Sequence, residues 1–459
     1  MEGNGDVRPP KRKRYSVNTE VEQQPHKIRR GRVEFETETL TREPGPSLST
    51  RFQALSPLSR RHRKPQQSRD EGESSRQWAF SPCNSSTSTY KDKFVVVSYN
   101  ILGVENASKH PDLYYKVPPR FLEWGRRKKL IRKEINRYNA SIMCLQGKFE
   151  TIRHEVDRFD DLAHLFQKDG FEGVYKARTG EASDGCAIFW KKEMFSLLHQ
   201  ENIEFQSYGL RNNVAQLCVL KSKQNQLESE ITLQTSVSPC TQNRSVVIGN
   251  THVLFNPNRG DIKQGQVRLF LEKAHELSQE WGSIPVIISG DLNSIPQSPM
   301  YQFLASSELD IRLHNRRHIS GQVDSGSENR SFRSQNEKGS SIRKYISRPL
   351  QYIWNEEEVR LATGIEGATL LQHHLKLCSA YLGVPGSCRT RDRCGEPLAT
   401  SYHSKFMGTV DYIWHTEELV PVRVLETLPV NILRRNGGLP SKKWGSDHLA
   451  LVCELAFRK

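Results

Sequence analysis

Apolar residues are scarce in this chain of 459 residues: only 36% belong to the hydrophobic set, so part of the chain is expected not to fold. No apolar run is long enough to cross a bilayer, and Met1 is followed by polar and basic residues where a secretory signal would place its apolar core. A membrane-spanning reading is thereby set aside, and a soluble, intracellular protein is expected. None of the nine cysteines forms a Cys-x-x-Cys pair. Cys144, Cys186, Cys218 and Cys453 each lie in an apolar strand-like run, where a reduced thiol packs as a small core residue; a reducing compartment fits all nine. Cys388 and Cys394 stand in a basic segment at a spacing that does not suit a zinc knuckle. There is no Gly-x-Ser-x-Gly elbow, which argues against serine hydrolysis, and no internal repeat, leucine-rich or other.

What the sequence does have is positive charge. A net charge of +15 and a pI near 9.4 point to a polyanionic partner. Residues 1 to about 90 are rich in Arg, Lys, Ser, Pro, Gln and Glu without apolar periodicity, so this extension is read as disordered. Lys11-Arg12-Lys13-Arg14 resembles a nuclear import cluster, and Arg60-Arg61-His62-Arg63-Lys64 is a second basic block; the alternative is a solvated tail that touches RNA nonspecifically.

The folded part is expected over residues 91 to 459. Strand-like runs occur at 93–102, 141–146, 185–190, 214–220, 245–252, 286–293, 410–414 and 446–452. Amphipathic helices are expected at about 124–139 and 263–280, a surface connector at 221–244 and a mobile Ser/Arg/Asn/Gly-rich insertion at about 310–345. The central stretch is Val286-Ile287-Ile288-Ser289-Gly290-Asp291-Leu292-Asn293, a buried strand that breaks into a glycine, a carboxylate and a carboxamide. Other strands also end in polar sets, so that Asn100, His252, Asp291, Asn293, Asp411, Asp447 and His448 all fall at tips. In layered α/β proteins ligands bind at such strand mouths. Oxygen donors with two histidines and no cysteine suit a hard cation such as Mg²⁺, which rests on a few carboxylates while substrate phosphate fills the remaining positions.

The motifs Ser98-Tyr99-Asn100-Ile101-Leu102, Leu145-Gln146, Asn250-Thr251-His252, Gly290-Asp291-Leu292-Asn293-Ser294, Val410-Asp411-Tyr412-Ile413 and Ser446-Asp447-His448 occur in the order of the endonuclease/exonuclease/phosphatase superfamily. More narrowly, residues 93 to 457 resemble the nuclease domain of the carbon catabolite repressor type of mRNA deadenylase, and the basic extension resembles that of the plant carbon catabolite repressor protein 4 homologs. The resemblance implies an α/β fold of the DNase I-like kind, a two-sheet α/β sandwich with helices outside and the site at one rim. It implies a Mg²⁺-dependent 3′-to-5′ exoribonuclease that removes adenylate from the poly(A) tails of mRNA and releases AMP. RNA is then the substrate, subunits of the CCR4-NOT complex are candidate partners, and nucleus and cytoplasm are the expected locations. The missing leucine-rich repeats remove the family's usual docking element.

By the same resemblance Asp291 would activate or hold the attacking water, and Asn293 would contact the scissile phosphate or the base. His448 would stabilise phosphoryl charge while Asp411 orients its ring. Asn100 and Asp447 would complete the metal shell, and His252 would contact the phosphate from the opposite sheet. Phe406 and Pro257 would hold adenine, with Tyr412 beside them, although stacking tolerates any base; core and turn roles for Phe406 and Pro257 are the plainer alternative. Lys263, Arg268 and Lys405 are further candidates for RNA phosphates.

The sequence departs from the family at one joint. Where the family continues Leu-Gln-Glu-Val-Asp and uses that Glu as the main Mg²⁺ ligand, Gln146 is followed by Gly147-Lys148-Phe149, and Glu155-Val156-Asp157 comes eight residues later. Glu155 would return to the strand tip if the insertion from Gly147 to His154 loops out, since a short loop closes at small cost. Otherwise Glu150 or water substitutes and catalysis is weakened. Two further readings stay open: another superfamily phosphodiesterase or phosphatase acting on a nucleotide, abasic DNA or an inositol phosphate, and a catalytically impaired RNA-binding scaffold.

Overall fold

A computed structural model describes residues 75–82, 92–147, 158–181, 184–223, 244–322 and 354–458, all within one compact unit. Short runs such as Val95-Val96-Val97 and Val246-Val247-Ile248 are buried throughout, which makes them central strands covered on both faces. They assemble into two large sheets. The first has the spatial order β1 (Trp78–Phe80), β16 (Leu419–Leu425), β17 (Leu451–Phe457), β2 (Lys93–Asn100), β3 (Ile142–Gly147), β5 (Gly185–Lys191) and β4 (Phe171–Ala177). The second runs β12 (Leu377–Ser379), β15 (Asp411–Thr416), β9 (Val286–Asp291), β8 (Ser245–His252), β7 (Val214–Ser222) and β6 (Phe195–Glu204). Two small ribbons, β10 (Glu308–Asp310) with β11 (Leu370–Gln372) and β13 (Ser401–His403) with β14 (Phe406–Gly408), lie outside these sheets.

The sheets face each other across a core that takes Val96, Cys144 and Ile188 from the first and Cys218, Ile248, Ile287 and Ile413 from the second. The outer face of the first sheet is covered by the Trp124–Tyr138 helix through Ile131 and Ile135. The Gly260–Glu280 helix covers the second through Val267, Phe270, Leu271 and Ala274. The expected two-sheet α/β sandwich is therefore the fold. At its mouth one polar pair crosses between the layers: Gln146 Nε2 donates to Asn250 Oδ1 at 2.7 Å, and Asn250 Nδ2 donates to the carbonyls of Leu145 and Ala187. Such a directional contact fixes the relative height of the two sheets where an apolar contact would let them slide.

Several expectations are corrected. The basic extension does not run unstructured to residue 90, because Trp78–Phe80 adds an edge strand to β16 and Arg76 is buried behind it, donating to the carbonyls of Glu426 and Ala450. Residues 310–322 belong to the folded unit as two short 3-10 turns, Ile311–Leu313 and Arg316–His318, each capped by the Asp310 or Asn315 side chain; the rest of the insertion lies outside the described residues. Residues 446–450 are a loop, and β17 starts only at Leu451. The helix expected from 263 begins at Gly260. Glu150, Glu155, Lys11–Arg14, Arg60–Lys64 and most of the 221–244 connector lie outside the described residues.

Candidate active site

Register places the site. Parallel pairing of β8 with β9 sets His252 opposite Asp291, and antiparallel pairing of β9 with β15 sets Asp291 opposite Asp411. Residues directly opposite in adjacent strands present their side chains on one face, so His252, Asp291 and Asp411 form a row at the mouth of the second sheet. Gly290 permits this. Its φ is +141°, and a Cβ there would stand 2.0 Å from the Thr251 carbonyl oxygen, so only glycine lets β8 and β9 meet so closely at their tips.

From the first sheet, Asn100 reaches across and donates from Nδ2 to Asp291 Oδ2 at 2.9 Å, while its Oδ1 accepts the Leu102 N–H. His252 Nε2 and His448 Nε2 lie 3.5 and 3.7 Å from the same oxygen. Asp291 Oδ1 accepts the Asn293 N–H at 2.9 Å, which pins the turn after β9. His448 Nδ1 is 2.8 Å from Asp411 Oδ2, and the loop carrying His448 is set by Ser446, whose hydroxyl donates to the Asn100 carbonyl and accepts the His448 N–H. Asp447 on that loop accepts the Tyr114 hydroxyl at 2.8 Å.

All of these carboxylates are buried. Burial works against the His448 charge, but Asp411, Asp447 and Asp291 outweigh it and push the imidazole up to about 10. The ring is therefore an imidazolium at neutral pH, with one N–H spent on Asp411. The other is farther from Asp291 than a hydrogen bond allows and remains available to an oxygen of a bound group. Burial also raises Asp411, and His448 is the charge that opposes this.

Most of the expected site residues converge here: Asn100, His252, Asp291, Asn293, Asp411, Asp447 and His448 share one rim. Asn293 has φ 47°, donates from Nδ2 to the Val253 carbonyl and accepts Lys263 on its own carbonyl, so it shapes the mouth as much as it faces it. Phe406 lies half-buried on β14 with its ring 6.0 Å from His403 of the paired strand β13, and Ser401 of that strand bridges to His448, so this aromatic borders the site. Pro257 is half-buried in the loop that follows β8.

Three expectations fail. Tyr412 does not face substrate: it is buried among Tyr301 and Trp414 and donates to the Ser294 carbonyl. Lys263 is no surface contact for RNA, because it is wholly buried, its Nζ donates to the Asn293 carbonyl at 2.6 Å, and burial pushes it down to about 7. Arg268 is committed to Glu272 and the Ala362 carbonyl; Lys405 is exposed and pairs with the exposed Asp112 at the surface.

The residues sequence reasoning missed act from behind. Arg127 is fully buried and ties two loops of the site together, donating from Nε to the Gly445 carbonyl and from Nη2 to those of Ile101 and Leu102. Its signal was present in the sequence as a charge on the helical stripe of Ile131 and Ile135, four and eight residues on. Thr400, whose Oγ1 accepts the Val410 and Asp411 N–H groups, and Tyr114 gave no such signal.

Asp291, Asp411 and His448 offer ligand atoms within 4.8 Å of one another, and the buried Asp411 Oδ1 has no hydrogen-bond partner. The oxygen donors therefore fit a hard divalent cation. Asp291 and Asp411, with Asn100 and Asp447 at the same rim, are the residues that would hold it. When bound, such an ion supplies charge neutralisation on phosphoryl oxygens. One donor is absent from its strand: β3 ends at Gly147, at φ +141° with Ile101 crowding the Cβ position, so the tip carries no side chain. In this arrangement Asp291 would hold the attacking water, the His448 N–H would face a phosphoryl oxygen, and His252 would flank the same carboxylate oxygen.

This geometry has relatives. The Endonuclease/Exonuclease/phosphatase family matches residues 97–448. Carbon catabolite repressor protein 4 homolog 5 of Arabidopsis thaliana is 55% identical over 457 residues, covering 97% of this chain and 95% of the relative. Homolog 3 of the same plant is 47% identical over 366 residues, covering 80% and 75%. Among solved structures, ANGEL2, described as a 2′,3′-cyclic phosphatase in complex with adenosine-2′,3′-vanadate, superposes with a TM-score of 0.62 at 29% identity, covering 83% of this chain and 99% of that one. The chain belongs to the endonuclease/exonuclease/phosphatase family of hydrolytic enzymes.

Proposed function

We propose that the chain is a Mg²⁺-dependent 3′-to-5′ exoribonuclease that shortens poly(A) and releases AMP. The observation that carries this reading is the convergence on Asp291 Oδ2 of Asn100, His252 and the Asp411-supported His448. In-line attack on a phosphodiester needs a positioned water, a base for its proton and positive groups at the oxygens that gain charge, and the rim supplies one group for each. Similarity to two carbon catabolite repressor protein 4 homologs over most of the chain supports RNA as the substrate class. The half-buried Phe406 at the rim provides a face for a terminal base, worth roughly 1–3 kcal/mol by stacking and indifferent to base identity. Adenine preference needs further polar contacts. The Lys11–Arg14 cluster supports a nuclear as well as a cytoplasmic location, and association with CCR4-NOT subunits is part of the same proposal.

The test is AMP release from oligoadenylate with and without Mg²⁺, beside an Asp291→Ala control. Non-adenylated RNA and abasic DNA serve as competing substrates. Equal rates for the two proteins, or preference for abasic DNA, would refute the reading.

A second reading has its own support. The similar solved structure is described as a 2′,3′-cyclic phosphatase, and opening a terminal cyclic phosphate is the same attack on a phosphodiester at an RNA 3′ end. Oligoadenylate ending in a 2′,3′-cyclic phosphate, compared with the 3′-hydroxyl form, separates the two. Loss of the cyclic phosphate without chain shortening would establish this one.

A further inference from the structure

One wall of the site's mouth comes from two segments far apart in the chain, residues 109–132 and 430–444. They meet where Arg126 Nη2 donates to the Lys442 carbonyl at 3.2 Å and where a Cβ on Gly438 would lie 3.3 Å from Val117. The wall starts at the site, because Tyr114 in the first segment donates to Asp447 and Arg127 holds the loop leading to His448.

Its surface is cationic. Lys116, Arg120, Arg434 and Lys442 are exposed, the second segment contains no carboxylate, and of the two in the first, Asp112 is engaged by Lys405. Crowding like charges on an exposed surface raises the energy of the folded state. Flat groups lie among the cations. Tyr115 is 68% exposed with Lys116 Nζ 5.4 Å from its ring centre, and Phe121 has the guanidiniums of Arg120 and Arg126 at 5.1 and 5.0 Å.

We propose that this wall is a track for single-stranded RNA, holding the nucleotides upstream of the bond that is cut. The inference rests on the RNA reading of the site given above. Alternating cations and planar faces match the alternating phosphates and unpaired bases of a single strand, since each base has a face to stack and each phosphate a charge to neutralise. Guanidinium planes serve as stacking surfaces too. A duplex keeps its bases inside and offers only the phosphates.

The experiment uses the full chain carrying Asp291→Ala, so that RNA stays intact, and fluorescence anisotropy with labelled oligoadenylate over a salt series. Arg120→Glu with Lys442→Glu is expected to weaken binding on the order of 10²-fold and make the salt dependence shallower by about two phosphate contacts. Tyr115→Ala is expected to weaken it roughly tenfold with the salt dependence unchanged, a split that damage to the fold would not produce. In the chain with Asp291 restored, the charge reversal raises KM for oligoadenylate. Thermal unfolding midpoints matching the parent show that the fold is intact. Unchanged affinity in both variants would overturn the track, as would an equal loss for duplex DNA, which would make the wall a general polyanion surface. AMP release with wall-independent binding and KM sinks the track alone; wall-dependent binding of oligoadenylate by a chain that releases no AMP sinks the exoribonuclease reading and leaves the track standing.

Discussion

His448 Nδ1 and Asp411 Oδ2, 37 residues apart in the chain, stand 2.8 Å apart with both side chains buried. The carboxylate sets both the orientation and the charge of the ring, because it accepts one N–H and stabilises the imidazolium. Asp411→Asn removes the negative charge and leaves a group of the same shape. The expected result is a fall in kcat on the order of 10²–10⁴-fold with a smaller change in KM, measured as AMP release. A variant within threefold of the parent would show that His448 is not the working electrophile.

Arg127 offers a second prediction. Three carbonyls on two loops of the site depend on its guanidinium. Arg127→Met leaves them buried and unpaired, at roughly 3 kcal/mol or more, so both the thermal midpoint and the activity are expected to fall. Arg127→Lys should not rescue, because an ammonium lacks the planar fork that bridges two loops. Full rescue by Lys would mean that charge alone is what the site needs.

Lys263 reaches the site through its hydrogen bond to the Asn293 carbonyl and through the field it shares with Asp291. Lys263→Met keeps the apolar stem and removes that donor. Displacing the turn by a fraction of an ångström is expected to lower kcat by about 10-fold or more. Unfolding in urea is the companion measurement: loss of stability without loss of kcat would limit Lys263 to a structural role.

The tip of β3 carries no side chain. Deleting Gly147 to His154 joins Gln146 directly to Glu155 and returns a carboxylate to that tip. The expected outcome is AMP release at a lower Mg²⁺ concentration than the parent requires. An unchanged Mg²⁺ dependence would show that the full chain already supplies this ligand or does not use one.

Stability should fall in acid. Burial holds the His373 and His415 rings below the ordinary value of 6.5, with His373 Nε2 donating to the Phe303 carbonyl. The unfolded chain takes up protons as the pH falls through 6.5, while the folded chain takes them up only lower, so this stability is present above 6.5 and lost below it. His448 has the opposite sign: its contribution is complete below 6.5 and lost as the pH rises through about 10. His373→Gln should flatten the decline of the urea midpoint between about pH 7 and pH 5. A slope identical to that of the parent would show that His373 does not titrate on unfolding.

Period-2 and period-3.6 patterns act over a few residues, and they located the strands whose tips carry Asn100, His252, Asp291 and Asp411, as well as the two covering helices. The polar residues that interrupt those runs were legible because a buried strand rarely ends in a carboxylate beside an amide without a use for them. The edge strand Trp78–Phe80 was not legible: three residues carry no period, and it exists only because β16 offers an unpaired edge. The turns at 311–318 were hidden for the same reason, since their Ser- and Arg-rich surroundings read as polar loop.

The sequence by itself determined which side chains stand at strand ends, and with them the class of chemistry, because strand spacing and residue type are local properties. Only the tertiary structure decided that Lys263 and Tyr412 lie inside and that Arg127 and Tyr114 support the site. It alone set Asn100 within 2.9 Å of Asp291 across 191 residues of chain. Burial and partnership depend on which faces two sheets turn toward each other, and that is settled by packing the whole chain at once.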